Sequence, residues 1–145
     1  MALESKTCFT GVLMDRELLE LVRDRASNRC EYCRMPQSAH VLTFPVDHVV
    51  ARQHGGPTTA ENLALSCTRC NSYKGPNAAG FDPASGSLTR LFHPRRDNWT
   101  DNFEAIGSQV AGITAIGRTT VQLLQINHPD YIALRESLIA EGLFQ

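Results

Sequence analysis

The chain has 145 residues, 42% of them hydrophobic and 20% charged, with a net charge of -1. That size and balance suit one soluble globular domain with a modest core. No apolar run approaches the ~20 residues that cross a bilayer, and Met1 to Lys6 lacks the basic and apolar stretches of a signal peptide. The default expectation is therefore a cytoplasmic protein without a membrane partner.

Residues 1–14 carry no strong pattern. Asp15 is placed to N-cap a helix running to about Asn28, with Leu18, Leu19 and Val22 on its apolar face. The stretch Val41 to Val46 reads as a strand, and Pro45 assigns it an edge position. Gln53 to Thr59 is a Gly-Gly-Pro loop, and Leu63-Ala64-Leu65 a second, short strand. A short helix follows from Thr68 or Arg69 to about Lys74, broken at Gly75-Pro76. Asp82 to Gly86 is a turn before a strand from Ser87 to Phe92. His93 to Trp99 is polar and basic, and Phe103 to Ile113 reads as a hairpin turning at Gly107-Ser108. A helix over Thr114 to Gln125 is weakened by Gly117 and two threonines. A last helix starts at Pro129, buries Tyr131, Leu134 and Leu138, and closes at Gly142. There are no repeats or long linkers, so one domain over residues 1–145 is expected. Its parts are a core over about 28–76, a basic extension over 77–100 and a mainly helical portion over 101–145.

Two Cys-x-x-Cys knuckles, Cys30 to Cys33 and Cys67 to Cys70, dominate the first half. In a reducing compartment such pairs bind metal more often than they form disulfides. Four cysteines imply a closed tetrahedral zinc site that holds the fold and leaves no coordination position open for chemistry. Cys8, the fifth cysteine, has no partner at ligand spacing and reads as an ordinary thiol. The 33 residues between the knuckles exceed the ~15–20 of a plain zinc ribbon. They contain Asp47-His48 and Glu61-Asn62-Leu63, and Asn71 to Gly75 follows the second knuckle. His48 is either a general base, its imidazole suited to neutral pH, or half of an exposed pair at a strand end. From Cys30 to Arg96 there are seven basic and four acidic residues, so any nucleic-acid face falls there.

Cys-x-x-Cys, Asp-His, Gly-Gly, Glu-Asn-Leu-x-Leu and Cys-x-x-Cys-Asn-x-x-Lys, in that order, resemble the core of the HNH endonuclease family. The resemblance spans Cys30 to Gly75. It implies an α+β fold: a ββα-metal (HNH) core stapled by the four-cysteine zinc site, with a flanking N-terminal helix and a C-terminal helical extension. It also implies hydrolysis of DNA phosphodiester bonds, with His48 as the base and Asn62 holding the loop that carries it. Asp47 and Asn71 map to the ligands of one catalytic divalent metal. Oxygen donors there suit Mg2+ or Mn2+. The last motif position is Asn71, making this the His-Asn-Asn variant, and Val49 to Arg52 lacks the Pro that many members carry. Leu91 to Trp99 looks like an extension found in a subset of bacterial members.

Arg52, Arg69 and Lys74 are candidates for phosphate contacts, and Arg95 and Arg96 form a secondary nucleic-acid patch with Trp99, which otherwise serves as a core anchor. His40 and His54 read as surface residues. DNA is the expected partner, with RNA and a homodimer both left open. The alternative function is a non-catalytic, zinc-stabilised nucleic-acid-binding module, which has no need for Asp47, His48 and Asn71 together. A redox or metal-storage role for the knuckles is a second rival, and it gives His48 nothing to do.

Overall fold

A computed structural model of the protein describes residues 6–9 and 12–144, with side chains from Asp15 onward. The side chain of Cys8 lies outside the described residues. The architecture is α+β: helices set among two-stranded antiparallel ribbons.

Strands β1 (Lys6–Phe9) and β2 (Val12–Asp15) form a hairpin that the sequence pattern did not announce. Asp15 then caps α1 (Arg16–Arg25), its carboxylate accepting from the Glu17 amide at 2.8 Å. Val22 is buried, with Leu18 and Leu19 packed beside it. The helix ends short of Asn28, because Ser27 and Asn28 both take positive φ to turn the chain into the first knuckle.

The expected strand over Val41 to Val46 is not formed. Val41 and Leu42 are exposed, while Phe44 is buried and held by its amide donating to the Gln37 side chain at 2.7 Å. Pairing begins only after Pro45, which has no N–H to give a ladder. Strand β3 (Val46–His48) then runs antiparallel to β4 (Leu63–Leu65), with His48 opposite Leu63 and Asp47 opposite Ala64. Helix α2 (Thr68–Lys74) follows, capped by Cys67 and stopped at Gly75, where φ is +51°. This ββα unit is the frame of the site.

The other edge of β4 is sealed by side chains. Arg25 donates to the Ala60 and Leu63 carbonyls at 2.7 and 2.5 Å. The Glu31 amide donates to the Leu65 carbonyl, and the Leu65 amide to the Glu31 carboxylate, each at 2.8 Å. An edge that would otherwise pair with another chain is thereby closed.

After Gly75, β5 (Ala79–Phe81) and β6 (Leu88–Arg90) form a ribbon around the Asp82 to Gly86 turn. The strand expected over Ser87 to Phe92 is thus shorter and has a partner the pattern did not reveal. A one-turn helix, α3 (Trp99–Asn102), leads into the hairpin of β7 (Phe103–Ile106) and β8 (Gln109–Gly112), which turns at Gly107-Ser108 as expected. Helices α4 (Ala115–Leu123) and α5 (Pro129–Ala140) complete the chain. Gly117, a poor helix former, is required by packing: a Cβ there would lie 1.9 Å from the Asn102 carbonyl oxygen. Arg118 of α4 pairs with the buried Asp82 carboxylate, and the Thr120 hydroxyl accepts from the Phe92 amide. No helix among the described residues is long and apolar enough to cross a membrane.

Candidate active site

Two knuckles bring four sulfurs together. The Sγ atoms of Cys30, Cys33, Cys67 and Cys70 lie within 4.8 Å of one another, and all four residues are fully buried. A Zn–S bond of ~2.3 Å in a tetrahedron places sulfurs ~3.8 Å apart. Cys33 and Cys67 stand at 3.7 Å. The amides of Cys33 and Cys70 point at the Cys30 and Cys67 sulfurs, at 3.5 and 3.3 Å. The donor set and its spacing fit a structural zinc ion. Around it stands a shell that the motif does not reveal. The Tyr131 hydroxyl, from α5, donates to Cys67 Sγ at 3.1 Å. Its oxygen is also 3.3 Å from His40 Nε2, so His40 belongs to this shell and is not the plain surface residue expected.

His48 ends β3, half-buried, with Nε2 2.8 Å from the Thr58 hydroxyl. Burial lowers its pKa from the ordinary histidine value; Arg52 and Lys74 push the same way, while Asp47 opposes them. A neutral imidazole is the form that can accept a proton. Thr58, which orients the ring, was not among the sequence candidates. Only its place in the Gly-Gly-Pro-Thr loop could have pointed to it.

Asn62 is buried and spans that loop. Its side-chain oxygen accepts from the Val50 amide at 2.9 Å, and its nitrogen donates to the Val50 and Pro57 carbonyls at 3.0 and 2.8 Å. Gly56 closes the same turn so tightly that a Cβ would fall 1.7 Å from the Val50 oxygen. The segment from His48 to Asn62 is therefore pinned from within.

Asp47 is buried. Its Oδ2 accepts from the Tyr32 hydroxyl at 3.0 Å and pairs with the Lys74 ammonium at 3.1 Å. Burial raises the Asp47 pKa, with Lys74 and then Tyr32 working against that rise. Lys74 also donates to the His48 carbonyl at 3.2 Å and is only 1% exposed. This corrects the expectation that Lys74 meets phosphates at the surface: its charge is used inside, between α2 and β3. Asn71 lies half-buried one helical turn earlier, on the same side of α2 as Lys74.

The remaining cations divide. Arg95 is not a surface contact either. It forms a tight ion pair with Glu31 and so ties the 93–97 turn to the sealed edge of β4. Arg69 pairs with Asp130 at 3.3 Å and lies over the Tyr131 ring. Arg52 and Arg96 are exposed, Arg52 in the turn that follows His48. Trp99 is an anchor: its indole N–H donates to the Tyr32 carbonyl at 2.8 Å.

Compared with known proteins, residues 30–77 match the family model for HNH endonuclease. No curated protein and no solved structure matched the chain. The matched segment runs from the first zinc knuckle through β3, β4 and α2. The likeness to that family covers about a third of the chain, the part that carries the four cysteines, His48 and Asn62.

Proposed function

We propose that the protein is a metal-dependent endonuclease that hydrolyses DNA phosphodiester bonds, with His48 as general base. The observation that supports this reading is a half-buried imidazole at the end of β3, 2.8 Å from the Thr58 hydroxyl, beside a loop pinned by Asn62. His48 would take the proton from the attacking water, and Thr58 would hold the ring in register for it. Asn62 is a positioning residue in this account, since it touches the loop and not the reacting atoms.

Asp47 and Asn71 are the residues that would hold Mg2+ or Mn2+, which when bound supplies Lewis-acid stabilisation of the phosphoryl charge. Their oxygens suit such a hard ion, and Oδ1 of Asp47 takes no hydrogen bond from the described residues. The ion would compete with the Lys74 ammonium for one carboxylate, so weak metal affinity is expected. Arg52, Arg69 and Arg96 are the proposed contacts to the strand. The buried zinc site serves the fold.

The Asp47–Lys74 pair also favours a second reading, a zinc-stabilised nucleic-acid-binding module that does not cut. Calorimetric Mn2+ titration of the wild type, Asp47→Asn and Asn71→Ala, run beside nicking of supercoiled plasmid, separates the two. The nuclease reading expects metal binding and nicking to be lost together in both variants. Nucleic-acid binding with neither Mn2+ uptake nor nicking in the folded wild type would establish the module.

A further inference from the structure

A polar cavity of about 470 Å³ opens beside the first knuckle, lined in part by Arg25, Arg29, Arg34, Asn98 and Trp99. It adjoins the edge of β4 that Arg25 and Glu31 seal, the edge opposite β3 and its His48. It is therefore separate from the proposed catalytic centre.

Cys30 lines the cavity as well, so a zinc ion held by four thiolates puts net negative charge nearby, and Glu61 acts on Arg25; what the arginines lack is a direct acidic partner. Two carboxylates line it, Glu31 and Asp97, and both are already taken, by Arg95 and by Arg90. Arg25 and Arg29 donate to backbone carbonyls, and Arg34 lies 4.4 Å over the Trp99 ring. None of these three arginines pairs with an acid among the described residues. The Nε of Arg25 is buried without any acceptor. Arg34 also holds φ at +69°, a conformation natural to Gly.

We propose that this cavity binds a phosphate oxyanion through Arg29 and Arg34, with Arg25 behind them. Guanidinium forks match phosphate oxygens in pairs. The space also admits the attached sugar, so a nucleic-acid strand passing on this side could supply the group. That source rests on the nuclease reading; free phosphate does not.

The test uses the full zinc-loaded chain carrying His48→Ala, so that nothing is cut. Emission of Trp99, the sole tryptophan, is followed while inorganic phosphate and a short DNA oligonucleotide are added in separate titrations. Anisotropy of labelled oligonucleotide gives affinity and salt dependence. Arg34→Gly suits the backbone, Arg29→Gln keeps a donor if the first variant folds poorly, and exposed Arg16→Gln is the control. Saturable emission changes are expected. Each cavity variant should lose about tenfold in affinity and lower the salt slope by about 1, while Arg16→Gln does neither. Saturation by inorganic phosphate, lost in the variants, with oligonucleotide silent supports the oxyanion site and assigns free phosphate. Parental affinity in both cavity variants, or no emission change with either titrant, overturns the proposal. Plasmid nicking by the chain with His48 intact judges the nuclease reading independently of this result.

Discussion

Lys74 holds its ammonium 3.1 Å from Asp47 Oδ2 with 1% of its side chain exposed, and so locks α2 against β3 at the residue beside His48. A buried pair is costly to break from one side only, because the abandoned charge stays behind. Lys74→Met should therefore destabilise the zinc-loaded protein by about 3–5 kcal/mol. Adding Asp47→Asn should recover part of that loss. Urea unfolding of both singles and the double checks it; strictly additive losses would mean the pair is not coupled.

Asn62 closes three hydrogen bonds across the loop that follows His48. Asn62→Ala leaves the Val50 amide without its acceptor, a loss of about 1–3 kcal/mol. Cleavage should fall further than stability explains, mainly in kcat. Gly56→Ala should act alike, since its Cβ collides with the Val50 carbonyl. Steady-state nicking rates on folded variants test both.

Tyr131 reaches from α5 to Cys67 Sγ. Groups that hydrogen-bond metal ligands typically carry tenfold to hundredfold in affinity. Tyr131→Phe should weaken zinc binding by about that factor, read by competition with a chromophoric chelator. Full zinc removal should unfold the ββα unit, because binding energy there is folding energy; circular dichroism after chelation would show it.

His93 is buried, and its Nδ1 accepts from the Arg95 amide at 3.2 Å. Burial, then Arg96, lower its pKa, while Asp97 opposes them. The folded value thus lies below the unfolded one of ~6.5. The contribution is present above that pH and lost as pH falls through the folded value. Between pH 7.5 and 5.5 the wild type should lose more stability than His93→Gln, a difference that cancels zinc-ligand protonation common to both.

The cysteine cluster and the frame around the candidate site were legible because they are local in sequence. The knuckles, the short strand Leu63–Leu65 and the helix Thr68–Lys74 stand where spacing placed them. What failed was non-local. Lysine reads as surface, and nothing in Cys-Asn-x-x-Lys shows that a buried Asp47 waits across the fold for it. Arg95 was misread for the same reason, its partner Glu31 lying 64 residues away. The apolar run from Val41 looked like a strand, yet only Phe44 is buried there. The paired strands Lys6–Phe9 and Val12–Asp15, and the partner strand Ala79–Phe81, carry too few alternating residues to signal pairing.

The central claim is that His48 activates water for phosphodiester cleavage. Its most direct measurement is the nicking rate of supercoiled plasmid by zinc-loaded wild type and His48→Ala, with Mg2+ or Mn2+ and with EDTA. The account predicts metal-dependent nicking that falls by about 10²–10⁴-fold in a variant with unchanged zinc content and melting temperature. Equal cleavage by the two proteins would contradict it.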